Sequence, residues 1–463
     1  MHCQLEDFLY IRVVLKHSQL MKFGNYSFAA MLMVSTLLAL SCEKEKIEEV
    51  VPESNSMIVG QYSVTSFTAT LNGTFDGVDK TDLIKGKRGV LYGVKSEKTE
   101  SAFKDWLKGS DDPDCKIIDK ADFQGSSMKC AVNGLAANTE YSYCLFLQKK
   151  DGSREISSIS SFKTQPFAPE MKNFDVKDVE CFVAFAEGKI LIDQKDAEYC
   201  ELGVLVSDQS DADVNKSMVF KQKGVYDPSV TARLNGLSAN TRYYCRLYVK
   251  YPGENGQSEY VYGESVIVRT KDFEQVAVDL GLSVYWASYN VGAEAPEEYG
   301  NYYAWGELAP KQNYTWDTFK WKGNMKYCTD TLSSNLTSLK MMELADDAAN
   351  YHWGGNWRIA SDADVTELYN NCYFDNNAEM NGVKGVRITS TINGNDIFIP
   401  YSGFLRYNSV VNGAGSMYLF FLRDLYFCRA TYGFYIWWRA VKDNHYDYDP
   451  WDGVTIRPVY PKE

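Results

Sequence analysis

Short apolar runs closed by Gly, Asn and Asp dominate the middle of the chain. Gly89-Val90-Leu91-Tyr92 and Gly203-Val204-Leu205-Val206 are typical. Runs of this length between turn residues predict strands, and their close spacing predicts an all-β sandwich over about residues 57 to 272. The pattern repeats. Leu135-Ala-Ala-Asn-Thr-Glu-Tyr141 returns 102 residues later as Leu237-Ser-Ala-Asn-Thr-Arg-Tyr243, and each copy ends in a β-rich run, ISSISSFKTQ and ESVIVRTKD. Leu135 and Leu237 are expected in a core, and Asn138 and Asn240 in a turn. Tyr141 and Tyr243 would start the next strand, bury a ring and return the hydroxyl to nearby backbone, a tyrosine corner. The first copy carries an insertion, AFKDWLKGSDDPDC from Ala102 to Cys115, read as a short helix and loop.

Beyond Thr270 the pattern changes. Nine of the ten Trp lie there. VDLGLSVYWASYNVGA alternates like a strand. The stretch from Leu336 to Cys372 holds two short helix candidates, the second capped by Ser361 or Asp362 with Val365, Leu368 and Tyr369 on one face. NGVKGVRITSTINGNDIFIPYSGF reads as a hairpin turning at Asn393-Gly394, and GVTIRPVY as the final strand. Trp286, Trp305 and Trp357 are expected in the core. Arg358 and Arg457 are expected to pair with Asp346 or Asp347. Tyr314, Trp316, Trp321, Trp437, Trp438 and Trp451 lie in polar or turn-rich stretches and are expected at the surface.

The N-terminus reads as an address. From Met21, a single Lys22 precedes an uncharged apolar run from Phe28 to Leu40, then Ser41 and Cys42. The run is short of the roughly 20 residues a membrane span needs. A buried core helix is disfavoured by the charged CEKEKIEE that follows at once. The segment resembles a lipoprotein signal with Ala39-Leu40-Ser41-Cys42 as its cleavage box, although the family's usual Leu is Ala39 here. The resemblance implies that Cys42 becomes the lipidated first residue. Glu43-Lys44-Glu45-Lys46 is similar to the export signal of Bacteroidetes surface lipoproteins. Residues 1–20, with Glu6 and Asp7, fit a signal poorly, so translation starts at either Met1 or Met21.

Composition narrows the function. The 463 residues suggest about three domains, and 45% hydrophobic content supports real cores. A net charge of −13 disfavours nucleic acid and anionic membrane surfaces. Of four His, only His352 and His445 lie outside the extreme N-terminus, which excludes a His-rich zinc site. Eleven Cys show no Cys-x-x-Cys pair. They read as small buried hydrophobes, with disulfide pairing left open. No Gly-rich phosphate loop occurs, and no cofactor is expected.

Two family resemblances complete the reading. The repeat is similar to fibronectin type III domains. VDLGLSVYWASYNVGA, EEYGNYYAWGE, DDAANYHWGGNWRIAS, NGVKGVRITSTINGNDIFIPYSGF and VTIRPVY together resemble the Fibrobacter succinogenes major paralogous domain over about residues 276 to 460. That family implies a C-type-lectin-like, α+β head whose first and last strands pair. The family's usual Trp-Arg-Met-Pro-Thr is Trp357-Arg358-Ile359-Ala360-Ser361 here, and GAGSMYLFFLRD lacks its Tyr-Trp-Ser-Ser. The expected fold is mainly β: two tandem fibronectin-III-like β-sandwiches, then an α+β C-type-lectin-like domain. The expected divisions are a doubtful extension (1–20), a signal peptide (21–41), an acidic tether (42–56), two sandwiches (57–167 and 168–273) and a head (274–463).

The expected function is a non-enzymatic outer-membrane lipoprotein, exposed on the cell surface and held by a lipid anchor. The sandwiches would be spacers, and the head would bind a glycan or a surface protein, as in adhesion. The alternative is a structural part of a surface fibre without a ligand of its own. Trp437, Trp438 and Trp451 are the expected stacking residues, with Asp447, Asp449 and Asp452 as hydrogen-bond acceptors. The loop KDNHYDYDPWDG is rich in oxygen ligands, but it lacks EF-hand spacing and reads as a solvated hairpin tip rather than a metal site.

Overall fold

The structure is a computed structural model. It describes residues 57–462, apart from 111, 113, 225, 254–256, 323–325, 328–340, 408–409, 427–429 and 438–445. The expected signal, Cys42 and the acidic tether lie outside these residues. The protein is mainly β, with 44% strand against 13% helix, built as several antiparallel sheets. Among the described residues, no helix is long and apolar enough to cross a membrane. The chain divides into two compact units. One comprises residues up to Gly60 with Asn72–Met128 and Ser142–Ser160; the other comprises Gln61–Leu71, Lys129–Tyr141 and Ser161–Glu463.

The first unit is organised by the sheet Lys116–Ile118, Lys87–Val94, Glu140–Gln148, Arg154–Ile156. The insertion does form a helix, Glu97–Leu107, which starts where the Ser96 hydroxyl accepts the Thr99 N–H. Its apolar side lays Phe103 and Trp106 against Leu91, Cys144 and Phe146. Arg154 stacks on Trp106 at 4.7 Å and donates to its carbonyl at 2.7 Å.

In the second unit, a three-stranded sheet (Glu170–Lys177, Val183–Leu191, Ser229–Asn235) and a five-stranded sheet centred on Arg242–Pro252 close on one core. Ala184, Ile190, Val204, Leu234, Tyr243 and Leu247 are among its members. Both tyrosine corners form as expected. The Tyr141 hydroxyl accepts the Ala136 N–H, and the Tyr243 hydroxyl accepts the Ser238 N–H, each at 2.8 Å. Leu135 and Leu237 are buried, and Asn138 and Asn240 take positive φ. The corners share a further pair of residues. Thr164 and Thr270 each accept an amide, from Thr139 and Thr241, at 2.9 Å. Each donates to a corner carbonyl, of Ala136 or Ser238.

From Phe273 onward, short sheets and helices surround two apolar clusters, one holding Trp305, Trp353 and Trp357 and the other Trp286, all fully buried. The strands Ala277–Val278, Val284–Ala287 and Val459–Pro461 pair, so the segment's beginning and end lie side by side. Ser361 caps the helix Asp362–Asn371, which buries Val365 and Leu368 but leaves Tyr369 exposed. The expected hairpin joins Val383–Ser390 to Asp396–Pro400, with Gly394 at positive φ.

The expected ion pairs are replaced. Arg358 meets Asp364, at 2.6 and 3.1 Å, because the capping box of its own helix brings that carboxylate close. Among the described residues, Arg457 has no carboxylate partner. It donates to Asn290 Oδ1 and to the carbonyls of Ala287 and Phe398. Asp347 is spent on the amides of Ala349, Asn350 and Ile359, and Asp346 on Lys320, Lys326 and Tyr327.

Within this unit the sandwich packs directly on the segment that follows it. Arg233 donates to the carbonyls of Tyr351 (2.7 Å) and Asn350 (2.9 Å), near the end of the helix Ala348–Trp353. Phe185 contacts the rings of Tyr351 and His352; Phe182 contacts Phe273 and Tyr460. Lys271 bonds Glu180 at 2.8 Å and the Tyr289 hydroxyl at 2.9 Å.

Candidate functional site: a tryptophan ledge

Two half-buried indoles meet at the surface of the C-terminal segment. Trp316 and Trp451 lie 5.1 Å apart, edge to face at 68°, with Phe319 beneath both. Each indole is held by a separate polar device.

Trp316 opens a 3-10 turn, Trp316–Thr318, in a loop that folds back on itself. Glu307, almost buried, draws the loop closed by accepting from Lys311 Nζ and from the Lys320 N–H, each at 2.8 Å. Lys311 also donates to the Thr318 carbonyl at 3.1 Å. This closure buries Tyr314 and Trp321, both expected at the surface. The Tyr314 hydroxyl donates to the Tyr302 carbonyl, and Trp321 Nε1 to the Gly306 carbonyl. The polarity of their sequence neighbours was misleading, since those polar groups are used inside the loop.

Trp451 is fixed by the next residue. Asp452 is fully buried, and both of its carboxylate oxygens are engaged by Arg406, through Nε at 2.9 Å and through Nη2. Burial pushes the Asp452 carboxyl up from its usual value, and the guanidinium draws it back. The Asp452 N–H donates to the Asp449 carbonyl at 2.9 Å, closing a tight turn around Trp451. Asp452 therefore positions the indole and is not available to a ligand. Asp449 is half-buried, 3.5 Å from Arg406.

The remaining expected site residues are not brought to this point by anything described. Trp437 ends the strand Ala430–Trp437, opposite Met417. Asp447 pairs with Tyr432, five residues from Trp437 along that strand and so about 17 Å of extended chain away. The side chains of Trp437 and Asp447, and all of Trp438, lie outside the described residues.

The ledge is bordered by groups that sequence reasoning passed over. Tyr407, 62% exposed and at φ +51°, follows Arg406, and its N–H donates to the Tyr314 carbonyl, two residues before Trp316. A large side chain at positive φ is costly, so its outward placement is enforced by the surrounding structure. Lys322 and Asp317 form an exposed ion pair, with the ammonium 5.9 Å from the Trp316 ring. The arrangement offers flat apolar faces beside donors and acceptors of both signs. It suits a ligand that is apolar on one face and hydroxylated at its rim. Among the described residues, no group of three or more His, Cys, Asp or Glu is placed to hold a metal ion.

No family model matches the chain, and no curated protein matches its sequence.

Proposed function

We propose that the protein is an outer-membrane lipoprotein, anchored through Cys42, whose lectin-like head binds a glycan at the Trp316–Trp451 ledge. The two repeats serve as its fibronectin-III-like stalk. The observation that carries the reading is the ledge itself: two partly exposed indoles, locked by the pairing of buried Asp452 with half-buried Arg406 and by the Glu307–Lys311 closure. An indole pair with no task would be expected to sink into the core it already touches. The neighbouring charges alternate in sign, which favours a neutral pyranose over a highly charged sugar.

A glycan array probed with the chain lacking residues 1–41 tests the ligand. Trp451→Ala and Trp316→Ala should each weaken binding at least about tenfold, or about 1.4 kcal/mol, with the fold kept. Absence of any glycan ligand, or binding that survives both substitutions, would sink the site and favour the structural-fibre reading. Cys42→Ala tests the anchor independently: the variant should leave the membrane fraction.

A further inference from the structure

The two indoles of the ledge do not form a platform. Their planes meet at 68°, with ring centroids 5.1 Å apart. Phe319 is tilted to both, at 36° to Trp316 and 63° to Trp451, so no two of the three aromatic faces are coplanar. The backbone under each indole is tied down. Trp451 sits in the turn that the Asp452 N–H closes on the Asp449 carbonyl, with the Asp452 carboxylate held by Arg406. Trp316 sits in a turn where the Thr318 hydroxyl donates to the Asn313 carbonyl at 2.7 Å, and Lys311 bridges Glu307 to the Thr318 carbonyl. Each ring also packs on the other and on Phe319, which limits its rotation. The angle between the faces is therefore set by the fold.

We infer that the ledge is a corner for one sugar ring, and that its ligand is the non-reducing terminal residue of a neutral glycan, not the flat face of a polysaccharide ribbon. The inference rests on the glycan reading above and narrows it. A sugar stacks by laying its apolar C–H face on an aromatic face. In a flat ribbon successive rings share one plane. Such a ribbon laid on either indole runs edge-on into the other, so it can stack on one at most. A single ring has no such conflict: its face lies on one indole while its edge abuts the second. The polar groups at the border favour the end of a chain. The exposed Asp317–Lys322 pair stands beside Trp316, and half-buried Asp449 is two residues from Trp451. Tyr407, 62% exposed, stands at the tip of the hairpin that pairs Phe404–Arg406 with Val410–Asn412. Donors and acceptors of this kind reward free hydroxyls. A terminal residue offers the most, because an internal one gives up a hydroxyl to the linkage at each end.

The test titrates the full chain in detergent with ladders of neutral gluco-, manno- and galacto-oligosaccharides, from disaccharide to hexasaccharide, and incubates it with crystalline cellulose and chitin. A ladder should bind with an affinity per chain that stays constant within about twofold from the trisaccharide upward, and neither solid should retain the protein. Methyl ethers on the non-reducing terminal residue of the binding oligosaccharide should weaken it at least about tenfold, as should Trp451→Ala at an unchanged melting temperature. Three results overturn the inference and leave the glycan reading standing: affinity that climbs with every added residue, equal binding of the methylated chain, or Trp451-dependent retention on cellulose or chitin. Failure of every ladder and of both solids removes the glycan reading, and this inference with it.

Discussion

The threonines at the two corners show how single side chains divide between local and distant roles. Leu135, Asn138 and Tyr141 act within seven residues, so their motif was legible in the sequence, and so was its copy at Leu237, Asn240 and Tyr243. Thr164 and Thr270 complete the same networks from 25 and 29 residues away, and only the strand register reveals them. The same limit applies at the ledge. Trp451 was legible from its turn, but its contact with Trp316 spans 135 positions, and the burial of Asp452 depends on Arg406 in another strand. Tyr243→Phe keeps the ring and removes the acceptor for the Ser238 amide. It should cost about 1 kcal/mol in chemical denaturation. Tyr141→Phe should act alike in the first repeat. An unchanged denaturation midpoint for both would show that the hydroxyls contribute nothing.

Among the elements, the repeat extends further than its motif. Gly89 and Gly203 occupy matching strands, and each allows an aromatic ring on the adjacent strand to close over it. A Cβ on Gly203 would lie 2.2 Å from the Phe220 carbonyl oxygen and 2.9 Å from the Tyr248 ring; on Gly89 it would lie 1.9 Å from that of Ile118 and 2.9 Å from Phe146. Backbone carbonyls cannot rotate away as a side chain can. Gly203→Ala should therefore separate Glu201–Ser207 from Met218–Lys221 and cost about 3 kcal/mol, readable as a lowered melting temperature. Wild-type stability in that variant would mean the strands tolerate the shift. Elsewhere a strand edge is deliberately spoiled. In Cys372–Met380, a bulge between Asp375 and Ala378 breaks the register, Asp375 takes the Asn377 amide, and the Tyr401 hydroxyl takes the Asn376 carbonyl. These bonds consume groups that would otherwise recruit a foreign strand.

At the scale of the whole molecule, the join between the second repeat and the C-terminal segment is a packed surface rather than a tether, which sequence reading did not foresee. The expected boundary at residue 273 falls inside it: Lys271 bonds both Glu180 and the Tyr289 hydroxyl, and Phe273 contacts both Phe182 and Trp357. His352 sits in this join among Phe185, Tyr303 and Tyr351, with its Nε2–H donating to the Leu308 carbonyl at 2.8 Å. Burial pushes its pKa below the ordinary 6.5. The folded state therefore resists the proton that the unfolded chain accepts. The resulting stability is fully present above about pH 6.5 and is lost as the pH falls toward the depressed value. His352→Gln, which keeps a donor but cannot titrate, should flatten that acid limb in denaturation series between pH 7.5 and pH 5. An identical limb in the variant would assign it to other groups.

Pairing of Val459–Pro461 with Val284–Ala287 has a practical corollary for display engineering. Tyr460 rests against Phe182 and Phe273, so the chain's last described strand lies against the second repeat and not at a free tip of the C-terminal segment. A reporter fused after Lys462 would therefore hang beside that repeat.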